Sequence, residues 1–468
     1  MHKLLKNFLS TSVANVLGQL VGFISILYYS RVIEEYNFGV ITYAQQFILY
    51  FTTIVLFGVQ TFGTKLVINK EKEESLLLSE ISSFRLIISC ILCVLCILCS
   101  LVSFFLLEDR LFSVILILWS PILLSTAYNF DWYFAGIQDM KHNAVYNLFK
   151  TVAPAIIIFI FVRSKEQGTI FIPIAMVLGV FLGAIYYIII LRKRGLKVKI
   201  KMSKDVFKGY FSMGLPFLLS GILAMVNGNI DKIVLGAINN YEGLGVYQSA
   251  YTLVNFIITF IGIICLVLFP IIVKSYKDGK PEILETVSKI VFMVVIPISF
   301  GIFSLSKEII MLFFGLDYIG AVVPLKILMV YIFILGIREV YAYSLNAFGL
   351  ERKYLKIVAI SATANFLLNV ILTPFYGYVM AAVITTATEI INLVLMRKAI
   401  REIVKFNDFK QVFLVTIPAI IMTIIIYFLK QFTSSIFIII PIAIIVYFVA
   451  IIGLKIVNVK QIKETLRE

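Results

Sequence analysis

Cys90, Cys93, Cys96 and Cys99 stand three residues apart, and cysteines so spaced are the ligand pattern of zinc and iron–sulfur sites. The residues between them argue against that chemistry. The string lies in SCILCVLCILCSLVSFFLL, an apolar helix on which steps of three residues drift around the axis by about 60° each. Such a helix cannot aim all four sulfurs at one ion, and thiolates in hydrocarbon would be costly. They read as small, polarisable packing residues rather than as metal ligands or a disulfide framework. The sequence has no nucleophile–base pair, metal cluster or nucleotide loop, so neither an enzyme nor a cofactor is expected. His2 and His142 fall at the edge of apolar tracts and read as solvated.

A second kind of chemistry resides in charges placed within apolar windows. Asp231, Lys232, Arg338, Glu339 and Glu389 lie deepest, with Arg31, Asp131 and Lys326 nearer the surfaces. Charge inside a membrane is expensive, and it faces a cavity or a partner. Asp231 and Lys232 are adjacent, so they point about 100° apart and do not simply neutralise each other.

Uncharged polar side chains form stripes. Gln248, Thr252, Asn255 and Thr259 follow a one-face helical spacing, and Thr42, Gln46 and Thr53 occupy corresponding positions earlier in the chain. Ser12, Asn15 and Gln19 form another stripe beside a Gly18-x-x-x-Gly22 packing motif. Asn227 with Asp231, Ser361 with Asn365 and Asn369, and Thr385 with Glu389 and Asn392 complete the set. A single stripe is ordinarily helix–helix glue. Stripes in both halves of the chain favour a shared polar cavity.

The elements that must position these groups follow from composition. The chain has 468 residues, 61% hydrophobic and 14% charged, with a mean hydropathy of +1.02. A soluble domain carries roughly 25% charged residues, so this is an all-α polytopic membrane protein. Its net charge of +15 does not imply nucleic acid, because the positive charge lies in short loops between apolar tracts. Windows of about twenty apolar residues predict fourteen spans. They lie near 10–31, 38–60, 85–107, 111–134, 143–162, 170–191, 210–237, 245–273, 287–305, 321–348, 355–373, 377–396, 411–430 and 436–455.

The stretch RKRGLKVKIKMSKDVFK, Arg192 to Lys208, cannot sit in hydrocarbon, and the positive-inside rule puts it in the cytoplasm. Alternate loops on its side hold most of the 41 Lys and Arg, which places both termini in the cytoplasm as well. Lys3 and Lys6 precede an apolar segment too long for a cleavable signal, so the first span is expected to be retained. Proline within spans, including Pro216, Pro270, Pro297 and Pro324, marks candidate bends. GVITYAQ from Gly39 aligns with GVYQSAY from Gly245, and FAGIQ from Phe134 with AFGLE from Ala347. Six spans separate the copies, the mark of a parallel repeat. The expected division is a six-helix lobe over 1–195, a second over 196–405, and two further helices with a cytoplasmic tail over 406–468.

With these elements in place, SRVIEEYNFGVITYA, DWYFAGIQDMKHNAVYN, LPFLLSGILAMVNGNIDKIVLG and LNAFGLERKYL resemble bacterial flippases for lipid-linked polysaccharide repeat units. These O-antigen and capsule exporters belong to the multidrug/oligosaccharidyl-lipid/polysaccharide superfamily. The most specific parts are W-x-F-x-G-x-x-x-x-K at Trp132 to Lys141 and I-D-K-I-V-L-G at Ile230 to Gly236. The resemblance implies two six-helix lobes and two extra helices around a central cavity in the bacterial cytoplasmic membrane. It implies that the cargo is an undecaprenyl-diphosphate-linked oligosaccharide, moved outward for surface polysaccharide synthesis and handed to a polysaccharide polymerase. Carried onto this chain, contact with the anionic headgroup falls to Lys232, Arg338 and Arg31. Asn15, Gln19, Gln46, Asn227, Gln248, Asn255 and Asn365 would line the cavity. Alternatives of the same fold are a lipid II flippase and an ion-coupled multidrug exporter, for which Asp231 and Glu389 would bind the coupling ion. A membrane-embedded polymerase would need Arg-rich outer loops, and these are short and carry few charges.

Overall fold

In the computed structural model, residues 2–279, 281–404 and 408–456 are described, the side chains of 2–16, 281, 282 and 408 excepted. The protein is nearly all helical, and no strand occurs among the described residues. Twelve helical segments are long and apolar enough to cross a membrane. The first six are α1 (Leu17–Ile68), α2 (Glu74–Leu106), α3 (Arg110–Gly136), α4 (Lys141–Phe161), α5 (Lys165–Lys193) and α6 (Lys204–Ala237). The rest are α7 (Tyr241–Lys277), α8 (Ile283–Ser304), α9 (Leu316–Ala347), α10 (Glu351–Arg401), α11 (Phe409–Leu429) and α12 (Ile436–Gly453). Local chemistry sets several of the ends. Asp109, Ser164 and Ser203 each accept a backbone N–H three residues on, capping α3, α5 and α6. At the end of α5, Gly195 takes a φ of 76°, which lets the chain leave the helix.

The count is twelve rather than the expected fourteen because α1 and α10 each run through two predicted spans. The break in α1 falls in the loop expected between 31 and 38, and that in α10 at the first residue of the span expected over 377–396. Glu34 in α1 has φ 62° and ψ 172°, and Gly377 in α10 has φ 67° and ψ −158°. The two legs of α10 fold back on each other: Ser361 Oγ donates to the Thr388 carbonyl at 2.9 Å, and Asn365 Nδ2 to Thr388 Oγ1 at 3.0 Å. In an unbroken helix residues 361 and 388 would lie about 40 Å apart. At the open end Lys353 Nζ pairs with Glu402 Oε2 at 2.9 Å. The candidate bends at Pro216, Pro270, Pro297 and Pro324 carry no non-helical backbone angles.

The chain divides into two compact units, one ending at Gly245 and the other beginning at Val246. Within the first, Trp132, Phe134 and Tyr187 are fully buried, with Phe134 and Tyr146 stacked on Tyr187 at centroid distances of 5.1 and 4.7 Å. Glycines let neighbours press against this cluster. A Cβ at Gly63 would sit 2.9 Å from the Trp132 ring, and one at Gly136 would sit 2.7 Å from Val67. The W-x-F-x-G motif is therefore a packing device here. A Cβ at Gly18 would lie 2.9 Å from Thr151 Oγ1, whereas one at Gly22 would have nothing within 4 Å, so only the first glycine of the expected Gly18-x-x-x-Gly22 motif packs closely.

The same unit holds a reciprocal crossing. A Cβ on Gly39 would lie 1.7 Å from the carbonyl oxygen of Tyr241, and one on Gly245 would lie 1.9 Å from that of Glu35. Each glycine covers the carbonyl four residues before the other, as expected for equivalent positions of a repeat.

In the second unit, α12 exposes Phe437, Ile445 and Ile452, the first at 77%. Such surface is unfavourable in water by roughly 25 cal/mol per Å² and is neutral against lipid.

Candidate functional site

Three elements of the first unit carry its polar groups. On α1, Gln19 and Arg31 are exposed and Gln46 is 4% exposed with its Oε1 lacking a partner. Asn15 lies outside the residues whose side chains are described. On α6, Asn227 is half-buried, while Asp231 and Lys232 are buried at 4% and 3%. The end of α6 is held against α1 at Gly236, where a Cβ would lie 2.0 Å from the Tyr43 ring. Lys232 Nζ donates to Asn229 Oδ1 at 3.1 Å, and Asp231 Oδ1 accepts the Lys232 backbone N–H at 2.9 Å. Lys232 also interacts electrostatically with Asp231, so the adjacent charges are coupled despite the rotation of about 100° between them.

The third element, α4, supplies a cation that sequence reasoning passed over. Lys150 lies well inside α4, is exposed, and interacts electrostatically with Asp131. Asp131 also interacts with Arg85, which is 1% exposed and donates from Nη1 to the Asn129 carbonyl at 2.6 Å. The signal was available: Lys150 is a charge within the predicted span 143–162.

At the α3–α4 turn, Glu74, Tyr133, Asp139, Lys141 and Arg194 line a polar cavity of about 500 Å³. Its charges satisfy one another. Asp139 pairs with Arg194 and, at 3.6 Å, with Lys141, and Tyr133 donates to Glu74 at 2.6 Å. Burial alone would raise the Asp139 carboxyl, but the hydrogen bond from Arg194 and the neighbouring positive charges hold it below its ordinary value. His142, expected to be solvated, is 8% exposed and bonded through Nδ1 to the Tyr186 hydroxyl at 2.7 Å. Packing of Phe134 on its ring draws it in.

In the second unit, Arg338 on α9 is clamped between two carboxylates. Its Nη1 lies 2.9 Å from Glu339 Oε1 and its Nε 2.5 Å from Glu389 Oε1 on α10. Asn392 Nδ2 donates to the other Glu389 oxygen at 3.2 Å. One cation stands against two carboxyl groups in this buried cluster, a setting that does not favour an anionic ligand. On α7, Gln248 is half-buried with its Oε1 lacking a partner, and Asn255 is exposed. Asn365 is spent within α10, joining Thr388 and Asn369. The stripe Ser361, Asn365 and Asn369 is glue between helical legs.

The four cysteines spread around α2 as the helical rotation demands, from exposed Cys90 to fully buried Cys96. Gln46 and Gln248 share a further feature. Gln46 corresponds in the repeat to Thr252, and Gln248 to Thr42, so each copy carries one Thr and one Gln in swapped order. Each glutamine presents a buried acceptor without a donor.

Residues 4–276 match the family described as polysaccharide biosynthesis protein. An Escherichia coli K12 protein that bears the name of an O-antigen transporter is 22% identical over 404 residues, spanning 85% of this chain and 96% of its own. A Haloferax volcanii protein named as a low-salt glycan biosynthesis flippase is 25% identical over 234 residues, 48% of this chain and 50% of its own. Among solved structures, the lipid II flippase MurJ in an inward closed conformation shares the fold. Its TM-score is 0.73 at 17% identity, covering 94% of this chain and 97% of that one.

Proposed function

The chain belongs to the polysaccharide biosynthesis protein family, and from that premise we propose that it flips lipid-linked oligosaccharides from the cytoplasmic to the outer face of the membrane. The observation that carries the reading is the family match over more than half of a multi-pass membrane chain. The cargo is an undecaprenyl-diphosphate-linked repeat unit of a surface polysaccharide, and the membrane is the bacterial cytoplasmic one. A sugar diphosphate cannot cross hydrocarbon unaided, since each unsatisfied polar group costs several kcal/mol. Polar side chains in each unit supply hydrogen bonds while the polyprenyl tail stays in lipid, and alternating access moves the headgroup. Gln46 and Gln248 are acceptors suited to sugar hydroxyls. The headgroup's negative charge is met by Lys150, with Arg31 and Lys232 on the same unit. The second unit's Glu389, with its excess of carboxylate over Arg338, and Asp231 in the first serve the coupling ion. That role is what an ion-coupled exporter of the same fold would also require. A polymerase then consumes the flipped unit.

Loss of the gene should stop surface polysaccharide while lipid-linked units accumulate on the inner leaflet, measured by mass spectrometry of extracted lipids. Complementation with Lys150→Gln should restore membrane protein but less than a tenth of the polymer. Normal surface polymer with new sensitivity to cationic drugs would overturn the reading in favour of a drug exporter.

The breaks at Glu34 and Gly377 are taken as turns between crossings, which makes fourteen crossings with both termini cytoplasmic. Reporter fusions at Lys199 should then report cytoplasm, and those at Asn240 and Tyr376 the outside. A cytoplasmic signal at Tyr376 would overturn the fourteen-crossing topology.

A further inference from the structure

The basic stretch between α5 and α6 is not a slack loop. Gly195 turns the chain out of α5, and the Leu196 N–H closes on the Leu191 carbonyl at 3.0 Å. From Leu196 to Ser203 the chain has no helical structure, and Ser203 then caps α6. Between these anchors it is stitched to α2. Ser79 Oγ accepts the Lys199 N–H at 3.0 Å, and Ser83 Oγ accepts the Lys201 N–H at 2.8 Å. Both serines are buried, at 4% and 2%, and stand one helical turn apart. Four residues of helix rise about 6.0 Å and two residues of extended chain about 6.6 Å, so the two repeats match.

The sequence of this strap alternates: Leu196, Lys197, Val198, Lys199, Ile200, Lys201. In extended chain, alternate residues share a side. Lys197, Lys199 and Lys201 therefore form a ladder on one side, all exposed, while Leu196, Val198 and Ile200 lie on the other. Leu196 and Val198 are half-buried, and Ile200 is 78% exposed. Elsewhere Lys72, Lys165, Lys353, Lys430 and Arg194 each pair with a carboxylate. Among the described residues, the three ladder lysines have no ion-pair partner.

We propose that the Leu196–Lys201 strap, held extended by Ser79 and Ser83, is a docking surface for anionic phospholipid headgroups of the membrane leaflet beside it. The ladder spans about 13 Å from Lys197 to Lys201, wide enough for several lipid phosphates and too long for a single diphosphate. Ile200 offers an apolar contact to the same interface. Because the backbone is already ordered, little freedom is lost on binding. Polybasic segments next to a membrane helix are attracted to anionic lipid additively, per lysine.

The test uses the full-length protein in nanodiscs of phosphatidylcholine with or without phosphatidylglycerol. Native mass spectrometry counts the phosphatidylglycerol molecules retained. The triple variant Lys197→Gln/Lys199→Gln/Lys201→Gln is expected to bind phosphatidylglycerol more weakly by about fivefold per lysine at low salt, with unchanged thermal stability. Ser79→Ala/Ser83→Ala keeps the charges and frees the strap; it should lose part of the affinity. Equal retention by wild type and the triple variant overturns the proposal. So does retention of inorganic pyrophosphate in preference to phosphatidylglycerol, which would assign the ladder to a soluble or cargo diphosphate. The lipid count is independent of transport, so a failure here is distinct from failure of the flippase reading.

Discussion

Replacing Arg338 with Gln is expected to deplete the folded protein from the membrane rather than only to slow transport. The guanidinium is the counter-charge of both Glu339 and Glu389, at 2.9 and 2.5 Å, in a site where all three side chains are largely buried. Without it, two carboxylates face each other out of water. Removing one partner of a buried pair costs about 3 to 5 kcal/mol, a large part of the roughly 5 to 15 kcal/mol that holds a domain together. Fluorescence-detected size exclusion of Arg338→Gln should show a several-fold lower yield of monodisperse protein and a lower melting temperature. The charge swap Arg338→Glu/Glu389→Arg should recover part of both. Normal yield and melting with lost export would show instead that Arg338 touches the cargo directly.

The second large effect lies at the Gly39–Gly245 crossing. A methyl group at either glycine would stand 1.7 or 1.9 Å from a backbone carbonyl oxygen, far inside the roughly 3.5 Å of ordinary contact. Nothing there can yield by changing rotamer, because the obstructing atoms belong to the main chain. Overpacking a close-packed site costs about 1 to 3 kcal/mol even where side chains can move aside. Gly39→Val and Gly245→Val are therefore each expected to abolish export and to lower the melting temperature by several degrees, with Gly39→Ala intermediate. Gly22→Ala is the control, since nothing lies within 4 Å of it, and it should be silent. Wild-type export by both valine variants would mean that the helices do not cross this closely in the working protein.

Much of this was legible in the sequence because it depends on quantities that add along the chain. Hydropathy over about twenty residues gave the helical membrane class, and the Lys and Arg of Arg192 to Lys208 marked the strap between α5 and α6. The repeat alignment singled out Gly39 and Gly245, and the helical drift of three-residue steps dispersed the cysteines correctly. What the chain could not reveal by itself is which way each helix is turned. A period of 3.6 residues fixes the angle between side chains on one helix but not the azimuth of that helix against its neighbours. Glu389, fifty-one positions from Arg338, became its partner through the packing of α9 on α10, and Asn365 became glue when Gly377 folded α10 back on itself. The same unknown azimuth decided that Lys150 is exposed while Lys232 is 3% exposed, although both are single lysines in apolar windows. Composition placed these charges in apolar windows, and only the rotation of the helices that carry them decided which were buried and which were exposed.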